Sequence, residues 1–273
     1  GTDGQTIDGM GITRISKIIE SMKNHSYQPN PAKRVYIKKA NGKLRPLGIP
    51  SVDDKLVQEV IRMILESIFE PTFSRLSHGF RPNKSCHTAL VQIKKEFTGA
   101  KWFIEGDIKG FFDNIDHQIM IATLRKRIDD EYFIALIWKF LKAGYLECWQ
   151  FNKTYSGTPQ GSIISPILSN IYLDTLDKYM ERYIEQFDKG KVHKRTKEYR
   201  SREYKLCLKR KEVKNRWNDM SDIEKAQALK EIKYLKSEMQ SVHCKDPMDK
   251  SFRRMKYVRY ADDCAPRRRV QVA

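Results

Sequence analysis

Acidic residues close two strand-like segments of the sequence. Asp107 ends the segment KWFIEGD, and Asp262 and Asp263 follow the segment RMKYVRYA. Adjacent carboxylates at a tight turn repel each other and raise each other's pKa, and a divalent cation bound between them offsets this repulsion. Mg²⁺ prefers one or two protein carboxylates together with substrate phosphates, and two ions about 3.5–4 Å apart can stabilise both oxygens of a phosphoryl transfer. The three aspartates are therefore candidates for a two-metal site, although each acid alone would be an ordinary loop residue.

The elements that must position these acids follow from hydrophobic periodicity and turn residues. Helices outnumber strands, so we predict a mixed α+β fold. An Asn41-Gly42 turn predicts a hairpin, and Asp116 is a predicted N-cap. The predicted helices cover about 8–24, 52–69, 85–97, 117–128, 131–144 and 164–184, and the predicted strands cover 34–50 (as a hairpin), 101–108 and 254–260.

The charge is strongly positive and unevenly distributed. The 273 residues include 52 Lys and Arg against 34 Asp and Glu, a net charge of +18. Residues 189–216 alone hold 13 basic and three acidic side chains, in a pattern that predicts a mostly helical insertion. Nucleic acid is the first candidate for a polyanionic partner, and an anionic membrane surface is the second. A solvated helix face is the plainer interpretation of such a run.

Several classes of protein are excluded by composition. An apolar fraction of 40% excludes wholesale disorder, and no apolar run is long enough to span a bilayer. The five cysteines include no C-x-x-C pair, which favours reduced thiols over disulfides or a zinc site. We therefore expect a cytoplasmic protein, in a bacterial cytosol or an organelle matrix, with no membrane partner.

The order of the motifs resembles that of reverse transcriptases, specifically the group II intron-encoded reverse transcriptase/maturases. FIEGDIKGFFDNIDH resembles the first catalytic block, TPQGSIISPILSNIYLDTLD the template and nucleotide-binding block, and YADD the catalytic turn. Upstream, KKANGKLRPLGIPSVDDKLVQ and SHGFRPNKSCHTAL resemble the fingers motifs, and GTDGQTIDGM the N-terminal motif of non-retroviral members. The similarity covers nearly the whole chain, except for the variable basic insertion.

This resemblance implies a right-hand polymerase with helix-rich fingers and a palm, the palm a small antiparallel sheet backed by helices. Residues 1–97 would be fingers, 98–116 palm, 117–161 the return between fingers and palm, and 162–273 palm, with the basic helical insertion at about 185–255. The thumb and maturase regions would be absent. Pro266 and the arginines after it make a poor central strand, so we expect a truncated fragment. The palm of such a fragment would expose apolar surface that the thumb normally covers, and this surface could pair two copies into a homodimer.

The resemblance also implies the roles of individual residues. Asp107, Asp262 and Asp263 would be catalytic and would bind two Mg²⁺ ions (or Mn²⁺ as a substitute), with the carbonyl of Ile108 completing the metal shell. The nucleotide-binding residues would be Arg45 with Lys38 or Lys39, Phe112 as the gate against a 2′-OH, and Gln160 and Gly161 of the PQG turn. Tyr260 and Ala261 would border the primer terminus. Arg81 would either cap fingers backbone carbonyls or contact template phosphates.

Two functions are compatible with these assignments. The first is RNA-directed DNA polymerisation of dNTPs onto a DNA primer, with intron RNA as the template. The second is a splicing cofactor that binds intron RNA with little polymerase activity. A retron, diversity-generating or CRISPR-associated reverse transcriptase is an alternative within the enzyme class. The candidate RNA-binding residues are Lys191, Lys194, Arg195, Lys197, Arg200, Arg202, Lys209, Arg210 and Lys211.

Overall fold

A computed structural model of the protein describes residues 3–38, 42, 44–100, 102–158, 161–246 and 248–268, with only the backbone of 264–268. The chain divides into two units. The first comprises Gly1–Arg182 together with Lys256–Arg267, and the second is centred on Tyr183–Met255. The α+β class predicted from the sequence is confirmed. Across the described residues, no helix has the length and apolar character needed to cross a membrane.

The predicted helices of the first unit are present, although the first begins at Ile12 rather than near residue 8 and the one after Asp116 ends at Leu124 rather than at 128. The short helix Phe111–Asn114 was not predicted. Asp116 caps α5, since its Oδ1 accepts hydrogen bonds from the backbone of Gln118 and Ile119 at 2.8 and 2.9 Å. Ser51 caps α2 in the same way, through the backbone N–H of Asp54. The helices are α1 (Ile12–Lys23), α2 (Val52–Phe69), α3 (Cys86–Glu96), α4 (Phe111–Asn114), α5 (His117–Leu124), α6 (Glu131–Lys142) and α7 (Ser165–Phe187), the last continuing into the second unit.

One hydrophobic core joins most of these helices. Val57, Ile61 and Leu65 recur at the four-residue spacing of one helix face on α2 and are buried. They belong to a cluster with buried side chains of α5, α6 and α7, including Leu124, Ile137 and Leu168. The residues of the predicted first catalytic block border this core, because Phe111 and Ile115 are buried within it.

A four-stranded sheet has the strand order β2-β1-β4-β5. The predicted hairpin is confirmed: β1 (Ala32–Lys38) pairs antiparallel with β2 (Leu44–Ile49). A second hairpin, β4 (Tyr145–Glu147) and β5 (Gln150–Asn152), was not predicted. Its turn residues Cys148 and Trp149 both have positive φ, 49° and 63°, without the glycine or asparagine that signals such a turn.

A three-stranded sheet carries the three predicted catalytic aspartates, in the order β3-β7-β6. Its strands are β3 (Gly106–Asp107), β6 (Met255–Tyr260) and β7 (Asp263–Arg268). The predicted strand over 101–108 is therefore much too long, and Trp102, Phe103 and Ile104 are exposed instead. The expectation of a poor strand after the paired acids is wrong, since β7 is the central strand. Pairing with β3 ends at Cys264, so β3 does not require a hydrogen bond from Pro266.

The second unit is a helical hairpin closed at its base. Its helices are α8 (Lys197–Arg216) and α9 (Asp222–Gln240), and Leu206, Val213 and Ala228 are buried. The backbones of Lys189 and Arg253 exchange hydrogen bonds of 3.0 and 3.1 Å. The division of the remaining chain into fingers and palm stays a prediction.

Candidate active site

The structure brings the predicted catalytic acids together at one place in the three-stranded sheet. Asp107 ends β3 and lies directly opposite Asp263, the first residue of β7, while Asp262 occupies the turn before β7. Partial loss of hydration, followed by the negative charges of Asp262, Asp107 and Glu105, raises the pKa of the Asp263 carboxyl. This mutual repulsion is what a bound cation would relieve.

The chemistry of these donors fits a hard divalent cation. Among the side chains that the structure describes, no cage of three or more His, Cys, Asp or Glu that could hold a metal ion is found. Mg²⁺ does not require such a cage, because substrate phosphates and water complete its shell. The carbonyl of Ile108 accepts a 3.2 Å hydrogen bond from the Phe111 N–H, and its second lone pair leaves capacity for a further partner.

The turn that carries the paired acids is held against residues 76–80, which include His78, Gly79 and Phe80 and are called the HGF segment. Ala261 is buried and has a φ of 55°. Gly79 packs so closely that a Cβ there would lie 2.2 Å from the Ala261 backbone nitrogen. Backbone hydrogen bonds join the same segment to β6, from Arg259 N to Leu76 O and from His78 N to Arg259 O, both 2.9 Å. Ala261 thus packs against protein, and Tyr260 beside it is partly exposed.

The PQG turn is anchored on both sides. Before it, Thr158 N donates to the carbonyl of Phe112 at 2.7 Å, and His117 Nε2 lies 2.7 Å from the carbonyl of Gly157. After it, the Gln58 side chain of α2 accepts hydrogen bonds of 2.9 Å from Ser162 Oγ and from the following backbone N–H. Gln160 itself lies outside the described residues.

Gly161 is brought against the β1–β2 hairpin. Its φ is 108°, and a Cβ there would lie 2.6 Å from the carbonyl oxygen of Gly48 and 2.9 Å from the side chain of Leu47. Arg45 lies two residues before Leu47, and alternate residues of a strand share a face. The hairpin face that carries Arg45 is therefore the face that Gly161 approaches.

The register of the hairpin separates the two residues proposed to clamp the triphosphate. Arg45 lies opposite Ile37, whereas Lys38 lies opposite Leu44. Directly opposite residues point to the same face and neighbours in a strand to opposite faces, so Lys38 and Arg45 point away from each other. This arrangement disfavours Lys38 as the partner of Arg45. Lys39, the alternative, lies outside the described residues.

The two phenylalanines after Asp107 differ in environment. Phe111 is buried and contacts the ring of Tyr172 edge-on at 6.0 Å between centroids. Phe112 is only partly buried and packs at the border of the core. Of the two rings, Phe112 is thus the more accessible, and its role as the gate stays a prediction.

Arg81 adopts the first of its two predicted roles. Its guanidinium Nη1 donates to the carbonyls of Ser74 and Ser77 at 2.6 and 2.9 Å. It also pairs with Glu70 at 2.8 Å, and only 6% of its side chain is exposed. This placement favours backbone capping over contact with template phosphates.

The nine candidate RNA-binding residues of the second unit fall into two groups. Three form ion pairs within the unit: Arg195 with Glu203, Arg202 with Glu198 and Lys209 with Glu231. The other six are exposed: Lys191, Lys194, Lys197, Arg200, Arg210 and Lys211.

An aromatic side chain interrupts the basic face of α8. Tyr204 is 65% exposed and Leu208 is 48% exposed. At 3.6 residues per turn, they lie between Arg200 and Lys211 on one helix face. Sequence reasoning missed this basic and aromatic stripe, together with Gln58, His117 and Gly79, because burial and helix phase decide their roles.

Antiparallel strands with facing carboxylates, and a glycine-bearing turn packed against the β1–β2 hairpin, are features expected of a nucleic-acid polymerase of the reverse transcriptase class. Residues 37–201, more than half of the chain, match the family described as "Reverse transcriptase (RNA-dependent DNA polymerase)". The chain belongs to this family, and within it to the group II intron-encoded reverse transcriptase/maturases.

Named relatives support the narrower assignment. Over 259 residues the chain is 50% identical to "Group II intron-encoded protein LtrA" of Lactococcus lactis subsp. cremoris, covering 94% of this chain and 42% of that protein. It is 45% identical to "Uncharacterized 91 kDa protein in cob intron" of Schizosaccharomyces pombe, covering 96% and 31%. The chain thus spans less than half the length of either relative. Separately from that assignment, a telomerase structure from Candida albicans, with telomeric RNA, is 10% identical to the chain at a TM-score of 0.46, covering 94% of this chain and 41% of that one.

Proposed function

We propose that this chain forms the polymerase core of an RNA-directed DNA polymerase, which adds dNTPs to the 3′-OH of a DNA primer paired with intron RNA. The observation that carries the proposal is the strand register that sets Asp107 opposite Asp263, with Asp262 in the adjoining turn. Phosphoryl transfer depends mainly on positioning and charge stabilisation. A fixed carboxylate cluster that binds metal ions can meet both needs without a protein nucleophile.

The residues that would hold two Mg²⁺ ions, or Mn²⁺ in their place, are the three aspartates and the Ile108 carbonyl. Bound ions would supply acidification of the primer hydroxyl and neutralisation of the triphosphate. The fit depends on the register that sets Asp107 opposite Asp263. The pKa of Asp263 is raised first by partial loss of hydration and then by the neighbouring negative charges, which a cation would offset. The protein's own contribution is to keep like charges close enough for a cation to bind between them.

Other residues of the chain would orient the nucleotide. Arg45 would donate to the triphosphate, since a guanidinium forms bidentate bonds with phosphate oxygens. Gly161 would allow the PQG backbone to approach the template. Its lack of a side chain also lets the turn pack against Leu47 and Gly48 of β2. Phe112 would lie under the sugar and select against a 2′-OH.

Primer extension tests the polymerase proposal. The chain is incubated with an RNA template, a labelled DNA primer, Mg²⁺ and dNTPs, and the product is followed by gel electrophoresis. We expect extension to the template end that requires the dNTPs and stops when Mg²⁺ is chelated. Ribonucleotides in place of dNTPs are expected to be used poorly. Absence of extension at every Mg²⁺ and Mn²⁺ concentration would contradict the proposal.

We further propose that the second unit binds structured intron RNA and so supports splicing and mobility. The observation that favours this function is the stripe Arg200–Tyr204–Leu208–Lys211 on α8, where cations flank an exposed aromatic ring. Cations contact phosphates, and aromatic rings stack on unpaired bases. Phosphate contacts carry no sequence information, so recognition of a cognate intron would depend on RNA shape.

The double variant Arg200→Ala/Lys211→Ala is expected to weaken binding of intron RNA and to flatten its salt dependence. For each phosphate that the protein no longer neutralises, the slope of log affinity against log salt should fall by about 1. Filter binding between low and physiological salt measures both quantities. Lys95→Ala/Lys126→Ala removes the same charge from exposed positions of the first unit and serves as the matched control. Equal effects in the two double variants would refute a dedicated surface on α8.

We propose that the protein functions in a reducing compartment. Among the residues that the structure describes, four cysteines are free thiols, which supports a bacterial cytosol or an organelle matrix: Cys86, Cys148, Cys207 and Cys244.

A further inference from the structure

A buried arginine lies directly behind the turn that carries the paired acids. Arg259 of β6 is 1% exposed. Its Nη1 donates to the carbonyl oxygen of Ala261 at 2.6 Å, and its Nη2 donates to Ser77 Oγ at 2.8 Å. The same guanidinium therefore contacts the residue immediately before Asp262 and the segment that supports the turn from the other side.

The charge of Arg259 is balanced by an acid on α7. Asp177, also 1% exposed, accepts bonds from Arg259 Nε at 2.9 Å and Nη2 at 2.6 Å. The hydroxyl of Tyr257 donates to the same carboxylate at 3.0 Å. Asn170, two helical turns before Asp177, accepts from Arg259 Nη1 at 3.3 Å and donates to the carbonyl of Gly79 at 2.9 Å. One polar network thus connects α7, β6 and the HGF segment.

The turn needs such support because its conformation is unfavourable. Ala261 has a φ of 55°, a region that costs free energy for residues other than glycine and persists where surrounding contacts fix it. The carbonyl of Ala261 belongs to the peptide group that leads into Asp262. A rotation of this peptide would therefore move both paired acids relative to Asp107.

Added stability is a weaker explanation for the ion pair. Removing two charges from water is costly, and well-packed apolar residues often replace a buried pair without loss of stability. The fork of Arg259, by contrast, reaches Asp177, Ser77 and Ala261 at once, which an apolar side chain cannot do.

We propose that Arg259, held by Asp177, is a positioning residue that fixes the Ala261–Asp262 peptide so that the paired acids and Asp107 share bound metal ions. The proposal rests on the proposed polymerase function. It assigns to Arg259 no contact with substrate or metal. Arg259 would hold the turn, whereas Asp107, Asp262 and Asp263 would carry the charge that binds the ions.

Two variants test the proposal. Arg259→Lys keeps the charge beside Asp177 but has a single ammonium group in place of the fork. The paired change Arg259→Met with Asp177→Leu removes both charges and keeps the volume. We expect both proteins to fold, with Mn²⁺ affinity and kcat each roughly 10- to 100-fold lower, as is usual when a metal ligand loses its support. The KM for primer–template should change less than about twofold.

The measurements are direct Mn²⁺ binding by electron paramagnetic resonance, primer extension, and thermal unfolding of each variant. A purely structural role would lower the melting temperature but leave Mn²⁺ affinity and kcat of the folded protein at wild-type values, and that result would overturn the proposal. If the paired variant does not fold, Arg259→Lys decides the question by the same criteria. Asp262→Asn is the reference: if it binds Mn²⁺ as tightly as the wild type, the metal assignment itself fails, whatever Arg259 does.

Discussion

Replacement of Asp262 by asparagine is expected to reduce primer extension by at least about 100-fold, the usual order for loss of one group that stabilises transition-state charge. Asparagine keeps the size and the turn but removes one negative charge from the cluster around Asp263. A weaker negative potential binds a divalent cation less well. The loss should therefore appear in kcat and in the Mg²⁺ requirement rather than in the affinity for primer–template.

The matched control is Asp129→Asn, which makes the same chemical change at an exposed position between α5 and α6. It should extend the primer as the wild type does. Single-turnover extension at several Mg²⁺ concentrations, with thermal unfolding to verify the fold, provides the comparison. Undiminished synthesis by Asp262→Asn would remove this residue from the metal site.

The second large effect is expected from Gly79→Ala. A Cβ at this position would lie 2.2 Å from the backbone nitrogen of Ala261 and 2.8 Å from its Cα, so the turn must move. Displacement of reacting groups by about 1 Å can lower a rate by about 100-fold, and overpacking costs about 1–3 kcal/mol of stability. We therefore expect a large loss of primer extension with a moderate fall in melting temperature.

Gly11→Ala is the appropriate control, because the space around its Cβ position is open and its φ is −103°. Primer extension should be nearly unchanged in this variant, and the free energy of unfolding in urea should fall by no more than about 1 kcal/mol, the cost of losing a favourable N-cap on α1. Wild-type activity in Gly79→Ala would mean that the paired acids do not depend on the close approach of the HGF segment.

Elements that depend on local signals, such as caps and apolar spacing, could be predicted from the sequence alone. Helix α2 begins after a serine cap and ends before Pro71, and α5 begins after its cap, Asp116. The spacing of apolar residues predicted the helices but not the buried face of α2, because Val60 and Ile64 are exposed although both are apolar. The three aspartates were found because each follows an apolar segment, and the order of the motifs indicated the family.

Features that depend on non-local pairing could not be predicted. The β4–β5 hairpin turns at Cys148 and Trp149, whose types give no turn signal, and β4 joins β1 in a parallel pair. The apolar segment before Asp107 resembled a full strand, but only two of its residues pair with β7. Which of the many basic side chains form internal ion pairs, as Arg202 and Lys209 do, depends on helix packing.

The roles of buried polar residues could not be predicted from the sequence either. Asp177 and Asn170 lie on a helix with many polar side chains, and nothing in their spacing distinguishes a buried partner of Arg259 from a solvated residue. For Arg81 the sequence allowed two roles, and only the carbonyls of Ser74 and Ser77 around its guanidinium discriminate between them.

The pairing of Asp107 with Asp263 also has a consequence for biosynthesis. The two residues are 156 positions apart in the chain although they lie opposite each other in the sheet. Translation at about 5–20 residues per second delivers the second acid roughly 8–30 s after the first. Contacts between distant segments also form later than local ones, because a long loop must be closed first. We therefore expect catalytic competence to arise only after Asp263 has been synthesised, when helices such as α2 can already have formed on the ribosome.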